Sequence, residues 1–208
     1  NDFGHVVLPS LLGKKRMLTH RFSGYSREVG TISSYFKASM DALRQESGLD
    51  LDAWETATGD VSGEVGDRPP ARFLAGSVCE DSLVSAGCRI AGQVKRSILS
   101  PGVVVEAGAV VEDAICMHGV HVGEGAVVKH AMLDKGVSVG AKARIEAGDA
   151  AVVNEQYAKC SLDGMTVVAK EVSIPAGLHL GSAVVIEAGV VESDFPSPLK
   201  EGTTVAPS

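Results

Sequence analysis

Along residues 97 to 145 the apolar positions keep one rhythm. Leu99, Val105, Val111, Cys116, Val122, Val128, Leu133, Val139 and Ile145 follow one another by six, six and five residues, and the block repeats every seventeen. Two residues before most of them stands another small or branched side chain: Val103, Ala109, Ala114, Val120, Ala126, Ala131, Val137 and Ala143. A spacing of two on an extended chain puts both side chains on one face. Each unit therefore reads as a short strand and a corner. Three units make one turn of a triangular coil, and stacked turns bury their inward columns against one another. Gly102, Gly119 and Gly136 recur at a corner that needs positive φ or close backbone approach. An antiparallel sandwich would space its strand signals about 8–12 residues apart. A helix would need apolar residues at three and four without this density of Val and Gly. The expected class is mainly β.

The rhythm extends in both directions. Residues 82–90 copy residues 97–105 at a spacing of fifteen, so the coil is expected to begin at Phe73. It lapses across 148–164, an excursion, and resumes with Val168, Ile174, Leu180 and Ile186 beside Val172, Leu178, Val184 and Val190. The coil thus spans 73–192, and 193–208, with three prolines, reads as an irregular tail. Upstream, Ile32, Tyr35, Phe36, Met40 and Leu43 share one helical face, with Thr31 as N-cap and Gly48 as the stop. That face is expected to rest on something outside this sequence. Residues from Lys15 to Thr31 are expected to form one or two strands. Residues 49–72, rich in Gly, Pro and acids, read as a linker; the alternative is a loop packed closely on the coil, with Trp54 as the residue tucked in.

Composition narrows the function classes. Only 4 % of the residues are aromatic against 45 % hydrophobic, which suits a coil filled by small aliphatic side chains. The net charge of −7 argues against an extended nucleic-acid surface. Cys79, Cys88, Cys116 and Cys160 lack metal-ligand spacing and read as reduced thiols of a cytoplasmic protein. Every apolar run is broken too early for a membrane span. The chain starts with Asn, so it reads as a piece of something longer.

Several separate stretches together resemble one family, the glucose-1-phosphate adenylyltransferases, also called ADP-glucose pyrophosphorylases. They are Asp-Phe-Gly-His at 2–5, Gly-Tyr-Ser-Arg-Glu-Val-Gly-Thr-Ile at 24–32, Ala-Ser-Met-Asp-Ala-Leu at 38–43 and Pro-Pro-Ala-Arg-Phe at 69–73. Further on come Arg-Ser-Ile-Leu-Ser-Pro-Gly-Val at 96–103, Leu-Asp-Lys-Gly at 133–136 and Gly-Met-Thr-Val-Val at 164–168. The resemblance implies a left-handed parallel β-helix behind a nucleotidyltransferase domain, of which residues 1–48 would be the C-terminal remnant. It also implies the reaction of ATP with glucose 1-phosphate to ADP-glucose and pyrophosphate with Mg2+, a homotetramer, and regulation by anionic metabolites. The family's glycine-rich nucleotide loop does not occur in this sequence, so the chain alone is expected to be inactive.

The resemblance also nominates residues. The family's Trp-Arg-Asp reads Ser26-Arg27-Glu28 here, which makes Glu28 a candidate for metal or substrate, with a longer side chain than the family's aspartate. Lys135 corresponds to a lysine that binds anionic activators in some members. By the repeat it shares a corner with Pro101 and His118. Lys129, His130 and Arg96, with Arg89 and Lys142, would extend a basic patch, and each also reads as an ordinary solvated side chain. A zinc site of His118, His121 and His130 would need the imidazoles to converge within about 2.1 Å of one metal, whereas the repeat places them in different columns. Two other function classes stay open: a non-catalytic scaffold derived from the family, and a hexapeptide-repeat acyltransferase using one His as general base.

Overall fold

The computed structural model describes residues 2–51 and 68–208. Trp54 and most of the expected linker lie outside the described residues. From Arg72 onward the chain winds into a parallel β-helix of three sheets, two of six strands and one of seven. The first face runs from Arg72–Phe73 through Arg89–Ile90, Val104–Val105, His121–Val122 and Ser138–Val139 to Ser173–Ile174. The second runs from Val78–Glu80 to His179–Leu180, and the third from Leu83–Val84 to Thr204–Val205.

The register realises the sequence rhythm. Ile90, Val105, Val122, Val139 and Ile174 stack on the first face, and Val94, Val111, Val128, Ile145 and Leu180 on the second. Leu99, Cys116, Leu133, Val168, Ile186 and Val205 stack on the third. All of these are buried in one continuous core. Burial pushes the Cys116 thiol up to about 12, and all four cysteines are free. The excursion at 148–164 leaves the coil between Arg144–Glu146 and Thr166–Val168, and the strands on either side of it remain in register.

Three local expectations need correction. Residues 193–208 are not wholly irregular: Thr204–Val205 pairs parallel with Val185–Ile186 and buries Val205. No strand forms between Lys15 and Thr31, where the apolar residues Met17, Leu18, Phe22 and Val29 are exposed and offer no partner strand. The helix starts as expected, with Thr31 and Ser34 making a capping box, but it runs only over Ile32–Asp41 and ends short of the expected stop at Gly48, which instead follows a separate 3-10 turn at Gln45–Ser47. The apolar face of the helix, moreover, finds its support within this chain. Phe36 and Met40 pack on Ile115, Met132 and Met165, with Ile98 and Val167 alongside. Ile98, Ile115, Met132 and Val167 are the outward-facing neighbours of the inward third-face column, so the helix covers the outside of that face.

Candidate functional site

The corners decide where charged side chains meet. At the corner between the third and first faces, the Gly119 N–H donates to the Pro101 carbonyl at 3.1 Å and the Gly136 N–H to the His118 carbonyl at 2.9 Å. Gly102, Gly119 and Gly136 all have φ between 68° and 76°, as their recurrence required. Pro101, His118 and Lys135 therefore occupy successive turns of one column. The Glu171 N–H donates to the Lys135 carbonyl at 2.8 Å, which brings Lys170 into the next place. Lys170 was missed in the sequence because the excursion hides its register. The Lys135 and Lys170 side chains are exposed and make no ion pair among the described residues.

The other nominated cations lie elsewhere. Arg96 and His130 sit at the corner between the second and third faces, where Asp81, Arg96, Asp113 and His130 succeed one another with φ of 44° to 48°. Backbone bonds from Arg96 to Glu80, Asp113 to Lys95 and His130 to Glu112 fix that column. Non-glycine residues rarely hold this conformation, at a cost of about 1–2 kcal/mol each. The basic patch thus divides in two, with the width of the third face between the halves.

The second group is also largely neutralised. Arg96 makes bonds of 2.8 and 2.7 Å to the two Asp113 carboxylate oxygens and one of 2.6 Å to Glu112. Lys129 lies 3.3 Å from Glu112. The Arg96 hydrogen bond, followed by Lys129, holds the Glu112 carboxyl below the usual range, while Asp113 first and then Glu112 raise the Arg96 guanidinium. His130 stacks edge-on against Phe36 at 5.4 Å, with Nε2 3.3 Å from the Asp163 carbonyl. It is a docking residue for the helix. His121 points out from the first face towards Glu106 at 3.3 Å, so the three histidines occupy separate places. Among the described residues no group of three His, Cys, Asp or Glu side chains is arranged to hold a metal.

Between the helix and the Arg96 corner lies a cleft of about 870 Å³. Its floor is Phe36, Met40, Leu162 and Met165, and its walls carry Arg27, Lys37, Arg44 and Arg96 against Asp41, Glu46, Asp81, Asp113 and Asp163. Four cations against five carboxylates give no preference for an anion. The excursion closes one end of this cleft. The Asp163 carboxylate accepts from Lys37 Nζ at 2.6 Å and from the Ser33 hydroxyl, and these two bonds hold its pKa below the usual range. At the other end of the helix, Asp41 accepts from the Tyr25 hydroxyl at 2.9 Å and from Arg27 Nε at 2.8 Å.

Glu28 lies on the loop that Tyr25 and Arg27 secure. Its side chain is exposed and makes no ion pair among the described residues. One free carboxylate fits Mg2+ only where substrate oxygens and water complete the shell, as this ion often requires.

The fold and corners define a hexapeptide-repeat β-helix protein, and residues 69–168 match the family model described as GlmU-like, C-terminal hexapeptide. The chain is 33 % identical over 202 residues to the glucose-1-phosphate adenylyltransferase of Acetivibrio thermocellus, covering 95 % of this chain and 46 % of that protein. It is 42 % identical over 126 residues to that of Streptomyces avermitilis (54 % and 30 %), and 40 % identical over 118 residues to that of Bacillus thuringiensis strain Al Hakam (56 % and 31 %). The chain belongs to the glucose-1-phosphate adenylyltransferase family and corresponds to its C-terminal part. It spans less than half the length of the curated relatives it matches. No helix among the described residues is long and apolar enough to cross a membrane.

Proposed function

We propose that this chain is the regulatory and oligomerising portion of a cytoplasmic, homotetrameric glucose-1-phosphate adenylyltransferase, which joins ATP and glucose 1-phosphate to give ADP-glucose and pyrophosphate. The observation that carries the reading is the 33 % identity over 95 % of the chain, which takes in the Glu28 loop, the helix and the coil together. In this reading residues 1–48 complete a nucleotidyltransferase domain. Glu28 offers one oxygen ligand or a substrate contact at its edge, and Mg2+, when bound, neutralises phosphate charge during transfer. The glycine corner is the effector site: His118, Lys135 and Lys170 line one column with unpaired lysines, the arrangement that suits a phosphorylated metabolite. Arg96, Lys129 and His130 serve the docking of the helix and the second face instead of that site.

Two measurements test this. Expression of the parent gene with the sequence upstream of Asn1 is expected to give ADP-glucose synthesis. A start codon close to Asn1, or no turnover of ATP with glucose 1-phosphate, would overturn the catalytic reading. Fluorimetric titration of this chain with fructose 1,6-bisphosphate, 3-phosphoglycerate and AMP is expected to give saturable binding that Lys135→Ala weakens. Binding unchanged by that substitution would remove the glycine corner as the site.

A further inference from the structure

The segment that carries Glu28 has little of its own to hold it. Among the described residues, 16–30 make no backbone–backbone hydrogen bond and no regular structure, and nearly every side chain there is exposed. Its polar hold on the rest of the molecule converges on one oxygen, Asp41 Oδ2, which receives both Tyr25 and Arg27. Asp41 is only 7 % exposed, at the last turn of the helix that the third face supports. A carboxylate so buried is worth keeping only when its acceptor oxygens are used. Here they are used to fix the residues on one side of Glu28, while the Thr31 cap fixes the other.

We infer that Asp41 is a positioning residue for Glu28, and that through it the loop is registered on the β-helix. The inference rests on the proposed role of the Glu28 loop. The helix has two anchors: Asp163 of the excursion grips Ser33 and Lys37 at its start, and Asp41 grips Tyr25 and Arg27 at its end. A rigid helix between them carries a displacement of the coil surface to the loop. Asp41 need not touch substrate for this; it sets where the Glu28 carboxylate stands.

Backbone 15N order parameters of this chain test the anchor without any activity. Asp41→Asn is expected to lower them in residues 24–31 while those of the coil stay unchanged. Tyr25→Phe combined with Arg27→Gln, which leaves the helix untouched, is expected to do the same. Unchanged order parameters in the double variant would overturn the inference. In the active parent protein, Asp41→Ala is expected to lower kcat on the order of 10- to 100-fold, with Asp41→Asn intermediate and the KM for ATP nearly constant. Glu28→Ala should add little to Asp41→Ala, since both act through one carboxylate position. Additive losses would overturn the positioning role. A wild-type parent without turnover would overturn that role together with the functional reading, and the order parameters separate that outcome from a failed anchor.

Discussion

The second and third faces of the coil are built from the same strands and corners, yet their outer sides have opposite characters. On the second face, Glu80, Lys95, Glu112, Lys129 and Glu146 lie in register along one outward column, with Lys95 3.1 Å from Glu80. On the third, the outward places are taken by Ile98, Ile115, Met132 and Val167, and the helix lies over them. Both faces keep the same inner column, so the coil's existence does not depend on what is outside. The outer residues decide which face meets water and which carries the element that leads to Glu28.

Substitutions can break this comparison. The largest effect is expected inside: Leu133→Ala should cost about 2–5 kcal/mol, seen as a lower midpoint in urea with all three faces unfolding together. Next, Phe36→Ala should cost about 2–3 kcal/mol, under the full core range because the ring sits at the edge of the coil. Its mark should be local, with rapid exchange in Ile32–Asp41 over a protected coil. Equal loss of protection in both would mean that the helix and coil form one cooperative unit.

Smaller still is the Asp163 latch. Its carboxyl is held below the ordinary value near 3.9 by Lys37 and then Ser33. A lowered folded-state pKa adds stability above the unfolded value, and that stability fades as the pH falls through the folded value. Helix protection should therefore drop below about pH 4 in the wild type. In Asp163→Asn, at a cost of about 1 kcal/mol or less for so exposed a pair, the drop should be absent. Least of all, Lys95→Ala on the second face should shift stability by about 0.5 kcal/mol or less, and less again in high salt. A larger loss would mean that the charged column is a structural element in its own right.

Much of this was open to reading in the sequence. The inward columns were legible because burial on every turn forces one periodicity, from Leu99 to Ile145 and again from Val168 to Ile186. The helix and its Thr31 cap were legible from local spacing. Its resting place was not, because helix patterning names a buried face without naming what covers it. The signal lay in Ile98, Ile115, Met132 and Val167, an unbroken apolar run at the outward position where the first face carries Arg89, Val104, His121 and Ser138 and the second Gln93, Val110, Val127 and Arg144. Lys15 to Thr31 misled because apolar residues there suggest strands, while pairing needs a neighbour. The division of the basic patch follows from the same arithmetic as the coil: residues seventeen apart, such as His118 and Lys135, share a corner, whereas Lys129 and Lys135, six apart, fall one face away from each other. Lys170 escaped because the excursion breaks that count.

The alternating column of Glu80, Lys95, Glu112, Lys129 and Glu146 also acts as a parity check on winding. Chains of near-identical turns are prone to skip one as they assemble, and inner columns of Val and Leu would tolerate the error. Leaving out the Lys95 turn would set Glu80 against Glu112, and leaving out the Glu112 turn would set Lys95 against Lys129. Like charges opposite one another on neighbouring strands are unfavourable, so the outer surface rejects a miscount that the interior cannot detect.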